Sequence, residues 1–255
     1  MLRLTKIAIF FVLTLAAQLA SPQELTIAAA ADLQFAMFDL GARFQKESGI
    51  AVKLLYGSSG NFTQQIQNGA PFDMFFSANL DYPKQLEAAG LTEPGTFYGY
   101  AKGKLVIWVP NESKLDLSLE LQALLDPAVS KIAIANPQHA PYGKAALAAL
   151  QQEKIYDRVK QKLVLGDNIS QAASFVTSGA ADVGIVALSL ALSPNMRDRG
   201  RYVAVPSGDY PAIEQACVIL RSSKNKAAAR KFLDFIKTPA ARQVLLDYGF
   251  EVSAK

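Results

Sequence analysis

The chain has 255 residues, of which 51% are hydrophobic and 19% charged, with a formal net charge of +4. This composition fills one large core or two smaller ones and excludes a disordered chain. Two of the positive charges, Arg3 and Lys6, precede the first acidic residue, Glu24, and no basic stripe interleaved with aromatics follows, which argues against nucleic-acid binding.

Arg3 and Lys6 lead into an uncharged run at 7–17, apolar apart from Thr14, and then into Gln18, Ser21, Pro22 and Gln23. That is the layout of a secretory signal peptide over residues 1–20, and the run is short for a membrane span. A periplasmic location is therefore expected, with a retained N-terminal anchor helix as the alternative. Cys217 is the only cysteine, so no intrachain disulfide can form.

Short apolar strands then alternate with amphipathic helices, the pattern of an α/β protein with mostly parallel sheets. Residues 25–30 read as a strand, and Asp32 stands where a helix N-cap belongs. Leu33, Met37, Leu40 and Phe44 fall on one face of the helix that follows, and Gly49 closes it. A strand at 52–56 leads through Gly57-Ser58-Ser59-Gly60-Asn61 into a helix at about 62–67. Strands are expected at 73–77, 104–109, 131–135, 162–165, 183–187 and 216–220. Helices are expected near 82–89, 115–125, 143–153, 168–178 and 226–236. Thr238-Pro239 opens the last helix and Gly249 lies past its end. A faint internal echo, Asn61 to Gly69-Ala70 and Asn168 to Gly179-Ala180, points to two halves built alike.

Much catalytic equipment is missing. One histidine and one cysteine cannot make a His-Cys zinc site. There is no G-x-S-x-G elbow and no phosphate-binding glycine motif, and a serine nucleophile has only His139 for a base.

Four strand-to-helix junctions remain: Ala30-Ala31-Asp32, Ser58-Ser59-Gly60-Asn61, Pro141-Tyr142-Gly143 and Asp167-Asn168-Ile169. In open α/β sheets ligands sit at such junctions, and helix N-termini offer unpaired N–H groups and partial positive charge to an anion. A fully ionised oxyanion only accepts hydrogen bonds, so its site should hold donors. Ser59 reads either as a hydroxyl donor to the anion or as a turn serine. Tyr142 and Ile169 are expected to act through backbone N–H alone, Asp32 to turn back and cap its own helix. The other reading of Asp32 shifts the ligand toward a protonated or cationic species. His139 reads as structural, and Trp108 as strand packing.

Several runs in fixed order resemble the periplasmic molybdate-binding proteins of ABC transporters, along nearly all of the chain after the signal segment. They are Thr26-Ile27-Ala28-Ala29-Ala30-Ala31-Asp32-Leu33, Gly57-Ser58-Ser59-Gly60, Gly69-Ala70-Pro71-Phe72-Asp73, Ala135-Asn136-Pro137 with His139-Ala140-Pro141-Tyr142-Gly143, and Tyr248-Gly249-Phe250. The resemblance implies a two-lobed, type II-like periplasmic-binding-protein fold: mixed, mostly parallel sheets with flanking helices and a two-crossing hinge. Lobe one is then expected at 23–100 plus 213–255 and lobe two at 101–212. It implies anion contacts at Ala31 or Asp32, Ser59, Tyr142 and Ile169, a molybdate or tungstate ligand, an ABC-transporter permease as partner, a monomer, and no cofactor or catalysis. Two positions depart from the family: Asp32 stands where serine or asparagine is usual, and Ala187 where some members have an anion-binding tyrosine. Sulfate, phosphate or another oxyanion is the alternative ligand; a secreted enzyme acting on an anionic substrate and an anion sensor are the alternative classes.

Overall fold

The computed structural model describes residues 24–252, so the expected signal segment lies outside it. The chain forms strands β1 (Glu24–Ala30), β2 (Ala51–Gly57), β3 (Met74–Ser77), β4 (Tyr98–Gly103), β5 (Leu105–Pro110), β6 (Ile132–Ala135), β7 (Leu163–Gly166), β8 (Val183–Ala187), β9 (Gly200–Ala204) and β10 (Ile213–Ile219). They assemble into two five-stranded sheets, ordered β2-β1-β3-β10-β4 and β7-β6-β8-β5-β9. The helices are α1 (Gln34–Ser48), α2 (Ser59–Gln67), α3 (Asp81–Ala88), α4 (Pro141–Gln152), α5 (Tyr156–Val159), α6 (Ile169–Thr177), α7 (Leu188–Ala191), α8 (Lys226–Ile236) and α9 (Pro239–Asp247).

The two sheets have one topology. In each, three parallel strands (β2-β1-β3 and β7-β6-β8) are extended by an antiparallel pair (β10-β4 and β5-β9). Parallel and antiparallel pairings are therefore equal in number, where the sequence pattern pointed to mostly parallel. The antiparallel half comes from the strands on either side of the passages between sheets. The chain leaves the first sheet after Gly103 and enters the second at Leu105; it returns between Ala204 and Ile213.

Period-two alternation builds the first sheet's two faces. Ile27, Met74, Phe76, Cys217 and Ile219 point into one core with Phe44 of α1 and Phe232 of α8. Ala28, Phe75 and Val218 point to the other side, against Phe62 of α2 and Leu86 of α3. Both cores are apolar, which is where most of the stability of such sheets arises. Gly49 ends α1 in the left-handed region, at φ 73°, a conformation that costs a Cβ-bearing residue energy. Thr238 caps α9, its Oγ1 accepting from the Ala241 N–H at 3.2 Å.

The expected helix at 115–125 is instead two 3₁₀ stretches within Leu117–Leu125, broken at Glu120, where φ is +50°. The edge strands β4 and β9 carry little apolar pattern and escape sequence reading, because an edge strand needs only its backbone pairing on one side.

Phe232 is fully buried and its ring lies 4.9 Å from that of Phe44 and 6.0 Å from those of Phe76 and Phe235. Phe232→Ala should lower the unfolding free energy by about 3–5 kcal/mol, read as a shift of the urea midpoint.

Candidate functional site

The two sheets face one another across a narrow cavity of about 10 Å³, room for about one water-sized sphere. That is far below the roughly 300–1,000 Å³ of organic-ligand pockets and leaves no room for an organic ligand. Its wall is built by Ala30, Ala31 and Asp32 after β1, Gly57, Ser58 and Ser59 after β2, Ala78 after β3, Ala140, Pro141 and Tyr142 at the start of α4, and Asn168 and Ile169 at the start of α6. All five residues expected at the site, Ala31, Asp32, Ser59, Tyr142 and Ile169, line this one cavity.

Apart from Ala78, each wall segment is or runs into a first helical turn. Ala31–Leu33 is a 3₁₀ turn running directly into α1, and Ser59, Tyr142 and Ile169 stand at the first or second position of α2, α4 and α6. N–H groups at these positions have no intrahelical acceptor. Ser58 and Asn168 are the N-caps of α2 and α6. Their side chains accept from the N–H three residues on, Asn61 at 3.3 Å and Gln171 at 3.0 Å. The two nine-residue helices are thus equivalent, and the internal echo is real but in a different register: Ser58, not Asn61, matches Asn168.

Ser59 is fully buried. Its Oγ accepts the Ala78 N–H at 3.0 Å, which holds the oxygen and leaves the hydroxyl proton to be given elsewhere. Among the described residues no lysine or arginine lines the cavity. Positive potential there comes from four helix starts, each worth roughly half a charge, together about enough to match a dianion.

Two expectations fail. Asp32 caps nothing: the N-cap is Ala30, without a side-chain bond, and Asp32 lies inside the 3₁₀ turn. Its carboxylate is drawn away by stronger donors. Oδ2 accepts from Gln215 Nε2 at 2.6 Å and from the Tyr142 hydroxyl at 3.0 Å. The Tyr142 side chain, expected to be indifferent, therefore crosses between the sheets. Gln215 also donates to the Tyr142 oxygen at 3.2 Å and accepts from the Tyr100 hydroxyl at 2.7 Å. All four residues are buried, and a Cβ on Gly103 would collide with the Tyr142 hydroxyl. Burial pushes the Asp32 carboxyl up to about 6, against the opposing pull of the Gln215 and Tyr142 bonds and, less, of its own and the Leu33 N–H groups. Burial, with Asp32 beside them, also holds the Tyr100 and Tyr142 hydroxyls well above the usual phenol range. Gln215 is a residue that sequence reasoning missed; its signal was an amide directly before the apolar run at 216–219 of β10.

Further bonds join the two sides at the rim. Gly60 N–H donates to the His139 carbonyl at 3.0 Å, and His139 Nδ1 lies 2.9 Å from Ser58 Oγ. The Ser189 hydroxyl donates to the Asp32 carbonyl at 2.7 Å, and that of Ser170 to Gln34 Oε1 at 2.6 Å. Ser58 and His139 have the separation of a nucleophile and its base. Ser58 Oγ is committed to capping α2, however, and among the described residues no carboxylate orients the imidazole. Ala187 is fully buried at the end of β8 and does not line the cavity.

Residues 25–251 match the family model described as bacterial extracellular solute-binding protein. The molybdate-binding protein ModA of Rhodobacter capsulatus is 37% identical over 231 residues, which cover 91% of this chain and 89% of that protein. ModA of Azotobacter vinelandii is 38% identical over 232 residues, 91% of each. Among solved structures, the Azotobacter vinelandii periplasmic molybdate-binding protein superposes with a TM-score of 0.85 at 34% identity, covering 90% of this chain and all of that one. With two lobes of one topology facing each other across a cavity of helix starts, this chain belongs to the bacterial extracellular solute-binding protein family, alongside the molybdate-binding proteins.

Proposed function

We propose that this protein captures molybdate, or tungstate of the same shape and charge, in the cavity between its two sheets and delivers it outside the cytoplasm to the permease of an ABC transporter. The observation that carries this reading is the donor-rich cavity: four first helical turns and the Ser59 hydroxyl meet around a narrow space that, among the described residues, no lysine or arginine lines. Such a wall favours an anion that accepts hydrogen bonds from all sides and selects it by size. Ala31, Ser59, Tyr142 and Ile169 supply the donors, Tyr142 and Ile169 through backbone N–H. The two ModA relatives and the Azotobacter vinelandii structure named above are molybdate-binding proteins, and the exported state fits the N-terminal layout of the sequence. The protein acts as a carrier, without cofactor or turnover.

Titration calorimetry of the ligand-stripped mature protein should give one site for molybdate and for tungstate, with sulfate and phosphate competing weakly. Tight sulfate or phosphate binding would replace the ligand and keep the carrier role; no binding of any of the four would overturn oxyanion capture. Hydrogen bonds to a charged group contribute about 1.5–3 kcal/mol, so Ser59→Ala should weaken molybdate about 10- to 150-fold.

The passages at Gly103–Leu105 and between Ala204 and Ile213 serve as the hinge, and the rim bonds hold the closed form. A Cβ on Gly60 would sit 2.6 Å from the His139 carbonyl oxygen, a contact made between the two lobes. Gly60→Ala should therefore strain the closed form alone. It should weaken molybdate by about tenfold or more while leaving the melting temperature of the ligand-free protein nearly unchanged; an unchanged affinity would show that closure does not bring these two residues together.

A further inference from the structure

Asp32 lines the cavity proposed for the anion, and only one of its carboxylate oxygens is satisfied. Oδ2 holds two donors, whereas Oδ1, fully buried, has no hydrogen-bond partner. A buried oxygen of this kind is costly and calls for an explanation. The Ser59 hydroxyl and the helix-start N–H groups of Tyr142 and Ile169 can give hydrogen bonds to an oxyanion; an ionised carboxylate cannot. Carboxylate and oxyanion are both acceptors, so their oxygens can meet only with a proton between them.

Beyond the smaller pull of its own and the Leu33 N–H groups, the surroundings supply no other compensation. Tyr142 from α4, Tyr100 from β4 and the neutral amide of Gln215 from β10 face the carboxylate, with Cys217 and Tyr210 near the two phenols. The helices α6 and α7, which pack on its turn, contain no ionisable residue. β2 brings Tyr56 and the exposed Lys53. Farther along α1, Arg43, Lys46 and Glu47 are exposed and Asp39 accepts from the Tyr248 hydroxyl. Glu214 of β10 pairs with Lys102 at the surface. No cation reaches Asp32 among the described residues.

We infer that Asp32 is a proton-linked specificity residue: the site takes up one proton with each molybdate, and the resulting carboxylic acid donates its Oδ1–H to an oxygen of the anion. This rests on the proposed oxyanion capture. In the balanced step, the Asp32 carboxylate gains a proton from solvent, an O–H bond forms at Oδ1, and the anion enters unprotonated; nothing is oxidised or reduced. Oδ2 keeps its Tyr142 and Gln215 bonds throughout. The requirement is modest, since the free carboxyl already titrates near 6. Protonating it at pH ~7 costs only about a tenfold factor in population, and the charge of an arriving dianion pushes its pKa further up.

The sign follows. Free Asp32 is ionised above about pH 6 and protonated when the anion is bound, so affinity must fall as pH rises, by about tenfold per unit between about pH 6.5 and 8.5. Calorimetric titrations with sodium molybdate in Tris and in HEPES at about pH 8, whose ionisation heats differ, should report uptake of about one proton per anion. Asp32→Asn keeps an acceptor for Tyr142 and Gln215 and offers a permanent N–H donor in place of the acid. It should bind molybdate with no pH slope and no uptake, and more than about tenfold tighter than the native protein at pH ~8.5. Tight native binding without slope or uptake would overturn the proton link and leave oxyanion capture standing. A slope that persists in Asp32→Asn would assign the proton to another group and overturn it too. Absence of molybdate binding in both proteins at every pH would overturn capture and proton link together. Should Asp32→Asn fail to fold, proton uptake by the native protein decides alone.

Discussion

The bond from Tyr142 to the Asp32 carboxylate ties the two sheets together at the floor of the cavity, and the site's geometry depends on it. Asp32 stands on the turn after β1, Tyr142 on the first turn of α4, and Gln215 on β10, a strand of the first sheet. With Tyr100 these side chains make one buried network in which each hydroxyl or amide has a partner and one carboxylate oxygen does not. Low dielectric strengthens the satisfied bonds and penalises the unsatisfied oxygen, so the same burial that positions the site also poises its chemistry. Gly103 matters for the same reason: the chain passes between sheets against the Tyr142 hydroxyl, and only a residue without Cβ leaves room.

The repeated topology explains why four helix starts meet. In both sheets the strand preceding each contributing helix is parallel to its neighbour, so the helices begin on the same side of the sheet. Two such sheets facing one another bring four N-termini to one point, with no need for a charged side chain. The equivalence extends to chemistry, since Ser58 and Asn168 cap α2 and α6 by the same bond three residues on. The halves diverge where function needs them to: α4 begins with proline, which gives up an N–H that the helix could not use, and leaves the Tyr142 N–H toward the cavity.

Much of this was legible in the sequence because it is local. A glycine past a helix, a threonine-proline start and an apolar strand run each follow from one or two residues, and so does the place of Ser59, Tyr142 and Ile169 at helix starts. What escaped was contact between distant segments. Asp32 fits the rule for an N-cap, but that rule holds only when no better donor competes, and its partners lie 110 and 183 residues away. Tyr142 hid for the same reason, and so did the approach of Gly60 to His139. Gln215 was visible in principle, as a polar residue directly before the buried, apolar run at 216–219. The edge strands β4 and β9 were not visible, because their backbones rather than their side chains place them.

A wall of neutral donors also suits a protein that must let go of what it holds. A cluster of lysines and arginines attracts any oxyanion at a distance, with little regard to shape, and keeps attracting it as the lobes part. Helix starts act over the first turn only. Two of the four belong to each lobe, so opening the hinge removes half of the donors at once. With hydrogen bonds to a charged group worth about 1.5–3 kcal/mol each, losing two of them lowers affinity by about two to four powers of ten. The rim bonds that hold the closed form are few, polar and individually weak, the Gly60–His139 and Ser170–Gln34 pairs among them. In the proposed carrier, a partner that pries the lobes apart therefore works mainly against the anion's own bonds to both lobes rather than against the rim, and those bonds keep the site closed until then.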